Sequence, residues 1–520
     1  MDESTASPTR AGSAGGWVRD PLGWVIGALV LFKAILPLLL HDDWGFHRDE
    51  LLYLAMGDHL ARGYLEVPPM IALLGAVADV LFGTWVAGVR LLPAIAGALS
   101  LWVTTRMVAE LGGGRWGQLL AGLGYLVGVI NLRVNVLFQP VSFDLLAYAI
   151  AAWLLIRILQ HQRPTDWLLL GLTIGLGLLT KYTMLLFVGG AFLGLVLTDQ
   201  RRQLATPWPW LAALVSLVIW SPNLHWQWQQ GFPVVEHMAV LAQRQLDHVD
   251  PITFLLSQLL VSLSAAPIWL YGLYWYLRSP SARKLRSIGW LYLGNLAVLL
   301  LFSGKIYYLA PAYPMLLAAG ALAIEWHLER RQARQLMVAM PILVVIGSLG
   351  TIPISIPILS VNDTISYSRF GAQYLGMGSA LAWEDGTRQE LPQDFADMLG
   401  WEEQAQAVAR VYGEIGSADV AAMNYGQAGA LVRYGSDLGL PPVISKGSSF
   451  WLWGYGDATG DQMVILGAEA QDLQPFFEKV EVRSRVEHPH ARETDVPIAV
   501  VSGPRHSMAE LWQILKAHRY

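Results

Sequence analysis

Cysteine is absent from the 520-residue chain. Disulfides, thiol nucleophiles and zinc–thiolate centres are excluded with it. Charge is scarce: Asp, Glu, Lys and Arg make up 14% of residues, against about a quarter in soluble chains. The shortage lies before about residue 360, and the sequence beyond it has an ordinary soluble composition. A net charge of −5 is too mild to point to nucleic acid. No internal repeat, no D-x-D triplet of the nucleotide-sugar kind and no phosphate-cradling glycine fingerprint at a strand–helix junction occurs.

What fills the chain is apolar sequence: 54% of residues are hydrophobic and the mean hydropathy is +0.41. Long apolar runs begin near Leu22, Val86, Gly117, Val141, Trp167, Thr183, Trp208, Ile252, Ile288, Tyr307 and Leu336. At roughly 20 residues per crossing, they predict a polytopic α-helical membrane protein of about 11 spans, 13 at most. Leu22–Leu40 is too long for a signal-peptide core and lacks a small-residue cleavage site, so it reads as a retained span. The expected organisation is a disordered cytoplasmic tail (1–20), a transmembrane domain (21–359) whose first external loop spans 41–83, and an extracytoplasmic α/β domain (360–520). In the last, Glu402–Ile415 and Ser507–His518 read as helices; Asp419–Asn424, Met463–Gly467 and Ile498–Ser502 read as strands.

Met70–Gly83 decides the topology. If it does not cross, the basic clusters at Arg106–Arg115, Arg157–Arg163, Arg201-Arg202, Arg278–Arg286 and Arg330–Arg334 all fall on the cytoplasmic side with Arg10 and Arg19, as the positive-inside rule requires. It is therefore expected to be an interfacial or re-entrant helix. The outside ends then hold Asp49, Glu66, Gln139 to Asp144, Lys181-Tyr182, Lys305 to Tyr308 and the C-terminal domain. Ser221–Pro251 reads as a long outside loop, with Trp226 and Trp228 as interface anchors.

The loop His41–Met70 is where chemistry is expected, because carboxylates beside a membrane are costly unless they face water, a partner or a substrate. Asp49-Glu50 opens a helical pattern, where simple capping accounts for the pair as well as a general base does. Glu66 precedes Val67-Pro68-Pro69, a stiff extended segment that aims it back toward Asp49. Asp42, Asp43 and Asp58 read as solvated neighbours. Lys181 and Lys305 each end an apolar run and are followed by tyrosine. One such lysine snorkels to headgroups; two on one face suit a phosphate. Asp144 either pairs with one of these lysines or meets substrate. His41, His47 and His59 share the loop without tight ligand spacing, so a divalent metal is not favoured and no cofactor is expected.

These residues together resemble the membrane glycosyltransferases of the GT-C superfold, in particular the bacterial protein mannosyltransferase-like and aminoarabinose-transferase-like group. Asp49-Glu50 looks like that group's Asp-Glu pair in the first external loop, and Glu66 with Pro68-Pro69 looks like its second acidic element. Lys181-Tyr182 and Lys305-Ile306-Tyr307-Tyr308, followed by Pro311-Ala312-Tyr313-Pro314, are similar to its phosphate-side motifs. Asn424-Tyr425-Gly426-Gln427-Ala428-Gly429-Ala430 resembles a segment of the bacterial members' soluble tails. Val67 stands where the aminoarabinose branch has lysine, which argues against aminoarabinose transfer to lipid A.

The resemblance implies an inverting transfer of sugar from a polyprenyl-phosphate donor to an acceptor hydroxyl of a lipid, glycan or protein, at the outer face of the bacterial cytoplasmic membrane. In it Asp49 is the catalytic base. Glu50, Glu66, Asp144, Lys181, Tyr182, Lys305, Tyr307 and Tyr308 contact substrate, and Lys181, Lys305 and Tyr308 receive the lipid phosphate. The soluble domain is expected to cover the site or bind acceptor. The rival readings are a transporter or flippase for a lipid-linked substrate, against which the one-sided charges speak, and a non-catalytic assembly subunit.

Overall fold

A computed structural model describes residues 20–241 and 250–518; the tail expected at the N-terminus lies almost wholly outside them. Each apolar run is helical. Pro21–Ile35, Val86–Glu110, Arg115–Leu126, Pro140–His161, Pro164–Thr180, Met184–Val196, Trp208–Gln229, Pro251–Leu260 with Ala266–Arg278, Arg286–Leu301, Tyr313–Arg330 and Arg334–Leu349 follow in order. Among the described residues, four helices are long and apolar enough to cross a membrane: Pro21–Leu39, Val86–Glu110, Pro140–His161 and Ile306–Arg330, the first and last including their 3₁₀ turns. The count is 6 if two bent pairs, broken after Val196 and after Leu260, each form one span. These set a minimum beneath the expected 11, because several of the other runs make shorter helices. Arg115–Leu126, at 12 residues, is about 18 Å long against a hydrocarbon core of about 30 Å.

Met70–Phe82 is a 13-residue helix, roughly 20 Å long, too short to cross upright. It buries Ile71, Ala72, Gly75 and Ala78 and leaves Leu73, Val77, Val80 and Leu81 exposed. Its small face lies on helix Arg48–Gly57 nearly backbone to backbone. A Cβ at Gly75 would stand 2.6 Å from the Tyr53 carbonyl oxygen, and one at Gly57 2.6 Å from the Ala76 nitrogen.

The loop expected from Ser221 begins later, because Trp208–Gln229 continues as helix through Pro222. Its polar residues turn inward. Asn223 accepts the Tyr182 hydroxyl at 2.9 Å and donates to the Arg62 carbonyl at 2.8 Å, and Gln227 donates to Tyr182 at 3.0 Å. Trp226 packs over Gly63, while Trp228 stays exposed. Helix Pro233–Leu241 follows.

Beyond Ser360, which caps helix Val361–Tyr374, lies a five-stranded sheet. Its strands are β1 (Asp419–Ala422), β2 (Val443–Ser445), β3 (Gln462–Leu466), β4 (Phe477–Val486) and β5 (Val496–Pro504), in the order β2-β1-β3-β5-β4. The first three are parallel, and β5 runs antiparallel to both its neighbours, β3 and β4. The three expected strands are β1, β3 and β5. β2 is only three residues long, and β4 is an edge strand with charged residues along it, so neither shows the apolar run of a buried strand. Helices Trp401–Ile415 and Tyr425–Gly435 cover the sheet.

This domain does not stand apart from the membrane portion. One apolar core runs from Phe46, Leu51 and Met56 through Ile71 and Val89 to Trp401, Val408, Leu431 and Val464. The Asp79–Arg433 ion pair closes its edge. That shared core fixes what the sheet domain can present to the loop His41–Met70.

Candidate active site

The site begins with a helix cap. His47 is extended (φ −69°, ψ 148°) and its Nδ1 accepts the Asp49 backbone N–H at 3.1 Å, while Glu50 accepts the His47 backbone N–H at 2.7 Å. The reciprocal bonds satisfy two first-turn donors that would otherwise lack partners. They also send the two neighbouring acids to different places. Glu50 turns into the protein and is fully buried. It meets Arg90 through Nε at 3.2 Å and Nη2 at 2.8 Å, and also accepts the Phe138 backbone N–H at 2.7 Å. Asp49 turns into a cavity. It accepts the Tyr425 hydroxyl at 2.9 Å and Gln139 Nε2 at 3.3 Å.

That cavity holds about 520 Å³ and is lined by acids and bases from distant parts of the chain. Asp49, Tyr53 and Glu66 come from the first loop, Lys181, Lys305, Tyr307 and Tyr308 from the helix ends, and Glu384, Asp394, Asp397, Tyr425, Ser448 and Arg492 from the C-terminal domain. A second cavity of about 560 Å³ adjoins it, walled by Leu185, Leu186 and Leu193 on one helix, Val298 and Leu299 on another, and Phe302 just past the end of the latter. The two share Glu66, Lys181, His237, Leu241 and Tyr308. An apolar groove thus leads to a junction that holds Lys181 and Glu66, on a polar cavity that also holds Asp49 and Lys305. Lys181 Nζ sits over the rings of Tyr307 (4.8 Å) and Tyr308 (5.2 Å), which hold an ammonium without consuming its charge. Burial pulls the Lys305 ammonium below the usual lysine value.

Glu66 stands where the cavities meet. Burial raises its carboxyl above the usual range, opposed by hydrogen bonds from Ser449 and Ser448. Ser449 Oγ bonds Glu66 Oε2 at 2.5 Å, and Oε1 has no partner.

Of the nine residues singled out from sequence, Asp49, Glu66, Lys181, Lys305, Tyr307 and Tyr308 share the polar cavity. Three do not. Glu50 directs its carboxylate to Arg90 and two backbone donors, which fixes the helix start, and it lines neither cavity. Asp144 is buried and accepts the Thr183 hydroxyl at 2.7 Å; it lines neither cavity. Tyr182 lines only the groove, with its hydroxyl held by Asn223 and Gln227. The C-terminal contributors Tyr425, Ser448 and Arg492, and His237, were missed. Tyr425 and His237 lay in segments that stood out in the sequence; Ser448 and Arg492 did not.

His47 Nε2 lies 3.8 Å from Asp394 and 3.9 Å from Asp397, a grouping compact enough to suggest a cation site. The helix cap argues otherwise. Nδ1 accepts a backbone N–H, so in the neutral ring the proton resides on Nε2, which then has no lone pair for a metal. Asp394 and Asp397 are further engaged by Arg133 and Arg492. The other loop histidines lie elsewhere: His41 pairs with Asp43, and His59 stacks on Trp453 at 4.2 Å.

Known proteins share this architecture. Residues 66–226 match the dolichyl-phosphate-mannose-protein mannosyltransferase family. Over 211 residues the chain is 30% identical to lipid A galacturonosyltransferase RgtD of Rhizobium johnstonii, a match spanning 39% of this chain and 43% of that protein. The crystal structure of ArnT from Cupriavidus metallidurans bound to undecaprenyl phosphate superposes with a TM-score of 0.58 at 16% identity, over 95% of this chain and all of that one. Its apo state superposes with a TM-score of 0.59 over the same share of each chain and at the same identity. The chain therefore has the GT-C fold, as its motifs led one to expect.

Proposed function

We propose that this membrane protein of the GT-C fold is an inverting glycosyltransferase, moving a sugar from a polyprenyl-phosphate donor to an acceptor hydroxyl at the outer face of the cytoplasmic membrane. The observation that carries the reading is the apolar groove that shares Lys181 with a polar cavity lined also by Lys305 and Asp49. That shape suits a ligand with a long apolar tail, one phosphate and a polar sugar. ArnT, of the same fold, has been crystallised with undecaprenyl phosphate.

The chemistry follows from the arrangement. The lipid tail lies in the groove and its phosphate meets the two ammonium groups. The acceptor oxygen attacks the anomeric carbon from the side of Asp49, opposite the phosphate. The bond from that carbon to the phosphate oxygen breaks, and its electron pair leaves with the lipid phosphate. The acceptor proton passes to Asp49. Charge building on the departing phosphate is met by fixed cations, which costs no reorganisation. The unpartnered Glu66 Oε1 accepts a sugar hydroxyl and sets the ring's orientation.

The lysine pair gives the test. Each charge-assisted contact to phosphate contributes roughly 1.5–3 kcal/mol, so Lys181→Met and Lys305→Met should each weaken binding of a short-chain polyprenyl phosphate by about tenfold or more. Their combination should abolish saturable binding, while Asp49→Asn binds normally. Wild-type affinity in the double variant would remove the phosphate site from this account.

A further inference from the structure

Resting on that reading, we propose that Tyr425 is a positioning residue for Asp49, and that the segment Asn424–Ala430 exists to deliver it across the interface between the C-terminal domain and the first loop. The hydroxyl of Tyr425 donates to Asp49 Oδ1 at 2.9 Å, while Oδ2 is held only by the longer 3.3 Å bond from Gln139. Oδ2 is thus the freer oxygen to take the acceptor proton, and Oδ1 is the pinned one. Burial and the neighbouring Asp49 charge raise the Tyr425 phenol far above its ordinary range, so it remains a donor at any working pH.

Four neighbours in the segment serve that placement. Asn424 caps helix Tyr425–Gly435, accepting the backbone N–H groups of Gly426 and Gln427 at 2.9 and 3.0 Å. Its amide and that of Gln427 both donate to Glu493, and Arg48 lies 3.8 Å from the same carboxylate with its guanidinium over the Tyr425 ring at 4.5 Å. Gly426 and Gly429 set the spacing. A Cβ at Gly426 would stand 2.7 Å from Arg48 Cγ, and one at Gly429 2.8 Å from Leu51 Cβ. Only glycine lets this helix lie on the first turn of the Asp49 helix, close enough for a tyrosine hydroxyl to reach the carboxylate. The soluble domain is therefore part of the reaction centre as well as its cover.

Tyr425→Phe keeps the ring over Arg48 and removes only the hydroxyl. In the full-length protein in detergent, with a polyprenyl-phosphate sugar as donor, kcat should fall roughly 10- to 100-fold. KM for the donor should stay within about twofold, because the donor site is untouched. The acidic limb of the kcat–pH profile should move to higher pH, since a donor to the ionised carboxylate is lost. A purely structural hydroxyl would leave that limb in place. Wild-type kcat with an unmoved acidic limb would overturn the role of Tyr425. Asp49→Asn, assayed alongside, separates the two ideas. If it is inactive while Tyr425→Phe behaves as wild type, only the positioning role fails; if it is active, the base assignment fails and takes the positioning role with it.

Discussion

Asp49→Asn should abolish turnover, a loss of about 10²–10⁴-fold from the missing general base alone, with the protein still folded and inserted. Asparagine is nearly isosteric, and its amide oxygen can still accept the Tyr425 hydroxyl that Oδ1 accepts at 2.9 Å. Its backbone N–H remains the one that bonds His47 Nδ1. What vanishes is the only function an amide cannot supply, proton acceptance. Glu66 is no substitute, because one oxygen is bound by Ser449 at 2.5 Å and burial pushes its carboxyl toward the protonated form. Single-turnover release of polyprenyl phosphate, read beside a monodisperse elution profile, measures this. Activity within tenfold of wild type would remove Asp49 as base.

Glu50→Gln should be the most destabilising single change in the site, although it lies one residue away. Glu50 is fully buried, as is Arg90 at 1% exposure. Neutralising one member leaves a guanidinium in a dry interior without a countercharge, which costs about 3–5 kcal/mol, a large part of a typical stability of roughly 5–15 kcal/mol. The glutamine amide also turns donors toward a site ringed by donors: Arg90, the His47 N–H and the Phe138 N–H. Removing both charges, as in Glu50→Leu with Arg90→Leu, should recover only part of the loss, because those two N–H groups stay buried without acceptors at about 1–3 kcal/mol each. Thermal inactivation in detergent measures the effect. A Glu50→Gln protein as heat-stable as wild type but with a raised donor KM would restore Glu50 to the substrate side.

The two adjacent acids show where sequence reading succeeds and where it stops. The common sidedness of Asp49, Glu66, Lys181 and Lys305 was legible because the two acids share the loop after the first apolar run and each lysine ends a later run, and the distribution of arginine around those runs sets their sidedness. The cavity does bring these four together. The opposite fates of Asp49 and Glu50 were not legible, since they depend on Arg90, 40 residues away, and on the Phe138 backbone, 88 away. The Tyr425–Asp49 bond joins residues 376 apart. Such contacts leave no periodicity behind; the glycines of Asn424–Ala430 were the only trace, and they mark close packing without naming the partner. The edge strand β4 escaped for a related reason, since its outward charges blur the apolar pattern by which buried strands are recognised.

The most direct measurement is donor consumption by the purified protein in detergent, where no compartment exists and transport is impossible. With a polyprenyl-phosphate sugar and an acceptor hydroxyl, the account predicts release of free polyprenyl phosphate in step with a glycosylated acceptor of inverted anomeric configuration, lost in Asp49→Asn. Saturable donor binding without consumption, equal in wild type and Asp49→Asn, would contradict it and would mark the lysine-lined groove as a carrier's site.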